Sequence, residues 1–265
     1  MGQLIDSGYG YDFLPGVAQY SGAVVARDGY SVSRVRLTQL VAHDVAFELI
    51  GHHLAALELP STALCAVELR CPEPFSEEGF ADYNERYRSS LTHLGVDLTG
   101  PQDAPAGSPL ARSMLCPVVD PPSDVSLHAF SYVSPTREIG PGGLVPLDRT
   151  FVVSGSAEVP EGRSTYRGHI VARGDISQTG LRRKTSWVLG ELTRRLGAIG
   201  ADWPAVTAVQ AYTGRDMGAL IQVSVQPMVG GAVDWHACLP PIADLEFEMD
   251  CRRVGLELSL APTVS

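Results

Sequence analysis

The feature that most constrains this chain is that it runs through one order of elements twice. Residues 134–147, Ser-Pro-Thr-Arg-Glu-Ile-Gly-Pro-Gly-Gly-Leu-Val-Pro-Leu, form a breaker-rich stretch with no apolar period, which reads as a linker. Before it, residues 23–25 and 31–37 are short β-type runs divided by Asp28-Gly29, a hairpin signal. Residues 41–57 carry Val45, Leu49 and Leu57 on one helical face. A strand-like run follows at 63–69, then a helix over 75–94 with Ser76 placed to cap the acidic turn Glu77-Glu78. Residues 98–109 read as a loop, and 113–119 and 125–133 as closing strands. After the linker, strands are expected at 150–154 and 168–173. A long helix over 177–199 has Leu181, Val188, Leu192 and Ile199 at helical spacing and stops at Gly200. A strand at 206–212, a short helix at 217–220 and strands at 223–225 and 245–251 complete the half. Each half thus reads ββαβ(α)ββ. The order predicts an α+β chain of two tandem domains, 1–133 and 148–265, each a mixed sheet with two helices on one face.

Composition narrows the function classes. Apolar residues are 45% of the 265, enough for a sizeable core. The net charge of −10 argues against nucleic acid, whose phosphates demand concentrated Lys and Arg. Met1 to Gly10 has neither the basic nor the apolar region of a signal peptide, and no run nears the roughly 20 apolar residues of a membrane span. These features lead us to expect a cytoplasmic protein without a membrane partner. Five cysteines, an odd number with no CxxC, read as reduced buried thiols. His52 and His53 point to different helix faces, and no metal site is expected.

Short motifs then accumulate in order. Tyr20-Ser21-Gly22-Ala23-Val24, Phe80-Ala-Asp-Tyr-Asn84-Glu-Arg-Tyr87 and Ala111-Arg112-Ser113 lie in the first half. Phe151-Val-Val-Ser154-Gly155, Gly174-Asp175-Ile176-Ser177-Gln178-Thr179, Leu196-Gly-Ala and Leu239-Pro240 followed by Leu245-Glu246-Phe247-Glu248 lie in the second. Together they resemble the RidA/YjgF family of reactive intermediate deaminases, although the helix start at Gly174-Asp175 is one residue shorter than that family's. The resemblance implies a trimeric fold related to chorismate mutase, with sites between neighbouring domains. For a tandem chain it implies a homotrimer of six pseudo-equivalent domains. Neither half carries the full set. The first lacks Ser-Gly at its strand end and has His128 near the place of the strand glutamate; the second has Gly231 near the place of the arginine. That division points to one composite or surviving site per chain, between the halves.

Arg112 is the strongest candidate for binding substrate. A guanidinium presents a planar fork that grips a carboxylate through two parallel hydrogen bonds, and the resemblance gives this arginine that role. Glu246, the first glutamate of the Leu-Glu-Phe-Glu run, is the expected catalytic carboxylate by the same resemblance; it shares a strand face with Glu248. His128 is the candidate proton carrier of the first half. Tyr20 offers a hydroxyl, and Ser154 and Gly155 offer backbone groups to the substrate. Asp234-Trp235-His236 is a weaker cluster, Asn84 reads as a structural contact, and Arg182-Arg183-Lys184 reads as a solvated helix face. The resemblance implies hydrolytic deamination, without cofactor or metal, of a small imine or enamine carboxylic acid to a 2-oxo acid and ammonia. The substrate is 2-aminoacrylate-like or, equally well served by the tandem build, 2-aminomuconate-like. The rival readings are a non-catalytic small-ligand module, favoured by the missing groups, and a chorismate-type hydrolase on the same fold.

Overall fold

The computed structural model describes residues 3–99, 107–137, 147–163 and 165–262. Most of the expected linker and of the 98–109 loop lies outside the described residues. The strands are β1 (Ile5–Asp6), β2 (Tyr11–Leu14), β3 (Ala23–Ala26), β4 (Tyr30–Ala42), β5 (Leu64–Arg70), β6 (Ala111–Pro117), β7 (Ser126–Pro135), β8 (Phe151–Ala157), β9 (Ala208–Tyr212), β10 (Val233–His236), β11 (Cys238–Leu239), β12 (Glu248–Arg253) and β13 (Leu256–Leu260). The long helices are α1 (His43–Ala56), α2 (Glu77–Leu94) and α3 (Gln178–Ala198). No helix among the described residues is long and apolar enough to cross a membrane.

The strands form two mixed sheets. One has seven strands in the order β1-β2-β3-β8-β12-β9-β10; the other has six in the order β11-β6-β5-β7-β4-β13. Helices α1 and α2 lay Phe47, Ile50, Phe80 and Tyr87 on one face of the six-stranded sheet, against Val67, Leu69 and Phe130. On the seven-stranded sheet, α3 and the helical turns of residues 218–229 lay Leu181, Val188, Ile221 and Val225 against Val153, Val209 and Met249. The opposite faces share a third core that includes Val24, Val32, Ala66, Ala111 and Val133. The α+β architecture, with helical elements on one face of each sheet, is therefore as the element order predicts.

Three local readings differ. β3 and β4 are not a hairpin: β3 pairs with β2 and β8, and β4 with β7 and β13. Asp28-Gly29 does reverse the chain, with Gly29 at φ 80°, but a turn signal names no partner strand. Residues 168–173 are turns, with Ile170 alone buried in the first core. Residues 221–225 are helical. The alternation Ile221, Val223, Val225 imitates a strand, yet Ile221 and Val225 sit four apart on a buried face while Val223 is 62% exposed.

Candidate active site

The two sheets touch where β6 runs beside β8, and there the Ser154 hydroxyl accepts from the Arg112 backbone N–H at 3.0 Å and donates to the Ser21 carbonyl at 2.6 Å. Buried Ser154 is thus a fastener between the halves. It brings Arg112 of the first half to a cleft that also takes Gly155, Glu161 and Glu248 from the second. Tyr20, Phe80, Met114, Tyr166, Ile242 and Leu245 also line it, with Phe80 and Tyr166 edge to face at 6.3 Å. The cavity is about 50 Å³, room for the carboxylate end of a small acid with the rest of the molecule toward the mouth.

Arg112 is 4% exposed, and its guanidinium donates to the Asn84 side-chain carbonyl at 2.9 Å. Its carbon lies 4.7 Å from the Tyr20 ring centroid, 4.9 Å from Tyr87 and 5.6 Å from Phe80. Aromatic faces attract a cation without neutralising it. Among the described residues no carboxylate lies within ion-pair distance of this arginine, whereas buried Arg34 and Arg195 both have such partners. A buried cation left unpaired in this way is a site for an anion.

Glu248, the first residue of β12, lines the same cleft as Arg112 and is 5% exposed. Burial, reinforced by the carboxylates of Asp250 and Glu158, pushes its carboxyl well above the ordinary carboxylate range, and the attraction of Arg112 offsets only part of this. Gly155 on β8 leaves the space that this carboxyl fills, since a Cβ there would stand 2.0 Å from Glu248 Oε1. The other acid of the cleft, Glu161, accepts from the Tyr20 hydroxyl at 3.0 Å and pairs with the fully buried Arg195 of α3 at 2.8 Å. Burial and Glu161 together push the Tyr20 phenol well up, so it remains a hydroxyl donor. One acid of raised proton affinity, one ion-paired acid and one guanidinium without an ion-pair partner among the described residues then line the same small volume.

Of the residues expected from the sequence, Arg112, Tyr20 and Gly155 line this cleft and Ser154 lies behind it. Glu246 does not line it: its carboxylate pairs with Arg215 at 2.8 Å, and it precedes the strand rather than lying in it. The strand starts at Glu248, three residues later than expected, so Glu246 stays outside the ladder and Glu248 is the carboxylate that lines the cleft. His128 is also absent from the lining. It sits near Arg70 and Glu68, with burial first and Arg70 next pushing its imidazole down to about 3. Asp234 is exposed and His236 stacks on Tyr212 at 5.4 Å. Asn84, read as structural, orients Arg112. Glu161 and Tyr166 carried no signal in the sequence, lying in a stretch without period. Lys184, read as part of a solvated face, is wholly buried against Glu158.

The sequence profile of the family described as 2-aminomuconate deaminase CnbZ matches residues 5–258. The 2-amino-5-chloromuconate deaminase of Comamonas testosteroni is 34% identical over 245 residues, covering 92% of this chain and 93% of that protein. Among solved structures, a chorismatase aligns over 87% of this chain and 77% of its own at 13% identity and a TM-score of 0.46. A putative endoribonuclease of Thermotoga maritima aligns over 44% and 89% at 22% identity and a TM-score of 0.31. By the extent of the profile match and the near-complete overlap with the Comamonas enzyme, this chain belongs to the 2-aminomuconate deaminase family.

Proposed function

We propose that the protein is a hydrolytic deaminase of an aminomuconate-like enamine acid, with Arg112 binding the carboxylate next to the nitrogen-bearing carbon and Glu248 carrying the proton. The observation that supports it most is the unpaired, aromatic-walled guanidinium of Arg112 sharing one cleft with a carboxyl whose proton affinity burial raises well above the ordinary range. The enamine becomes an imine when a chain carbon gains a proton and the nitrogen loses one. Water then adds to the imine carbon, and the new C–O bond leaves a carbinolamine. Its C–N bond breaks, the electron pair and a proton leave as ammonia, and the hydroxyl oxygen becomes the 2-oxo group. A neutral Glu248 supplies a proton in the first stage and its carboxylate recovers one from the attacking water. Arg112 fixes the acid so that the reacting carbon lies beside that carboxyl. Glu161, with Tyr20, presents an ion-paired carboxylate suited to the amino group.

Purified protein mixed with freshly generated 2-aminomuconate tests this by ammonia release and the ultraviolet signal. Arg112→Ala should lower kcat/KM by about 10²-fold or more, because losing one partner of a buried charged pair costs roughly 2–5 kcal/mol. Glu248→Gln should lower kcat by about 10²-fold or more. Wild-type turnover no faster than the buffer blank would sink the proposal. A non-catalytic module would lose only ligand affinity on Arg112→Ala.

A further inference from the structure

We infer that the buried Lys184–Glu158 pair is a positioning device for Glu248; this rests on the role proposed for Glu248 above. Lys184 sits on α3, and its ammonium meets Glu158 Oε1 at 2.9 Å with both side chains 0% exposed. The same Oε1 accepts the backbone N–H of Glu246 at 2.7 Å, and Oε2 accepts that of Phe247 at 3.0 Å. One carboxylate thus holds the two residues that precede Glu248. Glu158 directly follows Ala157, the ladder partner of Glu248, and lies three residues from Gly155, over which the Glu248 carboxyl rests. The clamp and the seat of the Glu248 carboxyl therefore belong to one short stretch of chain, and their spacing sets where that carboxyl stands.

Stability alone is a poor reason for this pair. Taking two charges out of water offsets most of their attraction, and well-packed apolar replacements are often neutral or stabilising. What an apolar pair cannot do is accept the Glu246 and Phe247 N–H groups. A carboxylate accepts at both oxygens. An amide in its place would point an N–H at an N–H. Lys184 keeps Glu158 supplied with a partner in a place water does not reach. Glu158 also belongs, with Asp250, to the carboxylates that push Glu248 up against the pull of Arg112, so the pair bears on its proton affinity too.

Two variants test the inference. Glu158→Asp keeps the charge pair but is one methylene too short to hold both N–H groups. The double variant Glu158→Gln with Lys184→Met removes both charges at nearly constant volume. Each is assayed for kcat and KM on 2-aminomuconate, for the pH profile of kcat, for a cooperative thermal melt, and for affinity toward muconate, the same diacid without the nitrogen. Folded variants should bind muconate within about threefold of wild type while kcat falls by about 10²-fold, the scale of a misplacement near 1 Å. The alkaline limb of the double variant should move to lower pH. A folded variant with wild-type kcat and an unmoved alkaline limb overturns the inference, and so does failure of both variants to fold, which would make the pair a folding determinant. Wild-type activity that survives Glu248→Gln is a different result: it defeats the reading of the site, whatever the Glu158 variants do.

Discussion

Gly155 is the residue where steric fact and proposed chemistry meet most closely. An added Cβ would collide with Glu248 Oε1 at 2.0 Å and lie 3.1 Å from its Cδ, while the nearest other atom, Ser113 Oγ, is 3.4 Å away. The obstacle is the end of one side chain, so the fold tolerates the change and the carboxyl moves. Gly155→Ala should leave the unfolding free energy within about 1 kcal/mol of wild type and cut kcat by 10- to 100-fold, roughly, by displacing the proton carrier. Kinetics beside a denaturant melt separate the two effects. Glu248 itself carries a stability cost with a definite sign. Its folded carboxyl holds a proton more tightly than the unfolded one, so below the unfolded value it costs nothing. The cost grows as pH rises through the gap between the two values. Glu248→Gln should therefore raise Tm at neutral and alkaline pH, leave it unchanged in acid, and abolish most turnover. Thermal melts across pH, with no gain at pH 8, would contradict this.

At the scale of elements, the helices were the most legible parts. Ser76 and Ser177 stand as N-caps, each side chain accepting from the N–H three residues on, Gly79 and Gly180. The ends of α2 and α3 fall at Gly95 and before Gly200, both at positive φ. Capping is local chemistry, so a reading of neighbours along the chain finds it. Ser177→Ala should cost about 1 kcal/mol, seen as a lower denaturant midpoint and faster amide exchange in the first turn of α3. Strands were read less well because their evidence is not local. The apolar run around Ile170 is a turn, the strand expected at 223–225 is helical, and β1, β2 and β13 carried no pattern that separated them from loops. Each is decided by what it packs against.

The whole molecule is more interwoven than a tandem order suggests. β1 to β3 of the first half join the sheet of β8, β9 and β12, while β11 and β13 of the second half edge the sheet of β4 to β7. β13 runs parallel to β4 from Leu256 opposite Ser33 to Leu260 opposite Leu37, and β3 runs antiparallel to β8. Thr150 ties the layers again, its hydroxyl accepting from Val32 N–H at 2.7 Å and its carbonyl from Ala26 N–H at 2.8 Å. Fragments 1–137 and 147–265 expressed apart should each lack a cooperative melt, since each leaves a sheet edge and part of the shared core bare. Co-expressed, they should recover one transition and deaminase activity. Two independently cooperative fragments would refute this.

Residues near one another in the chain were enough to place the α+β class, three long helices, the serine caps of two of them and the guanidinium of Arg112, because spacing, capping and side-chain chemistry act over a few positions. Which carboxylate faces that guanidinium was decided only by the tertiary structure. Glu246 and Glu248 lie on one face of an extended run, and nothing local separates them. The choice came from Glu158 reaching across from just past the end of β8, Lys184 from a helix, Arg215 drawing Glu246 away, and Gly155 leaving room for Glu248. Those hydrogen bonds join groups 26 to 88 residues apart, and a register is a property of partners that a single strand does not contain.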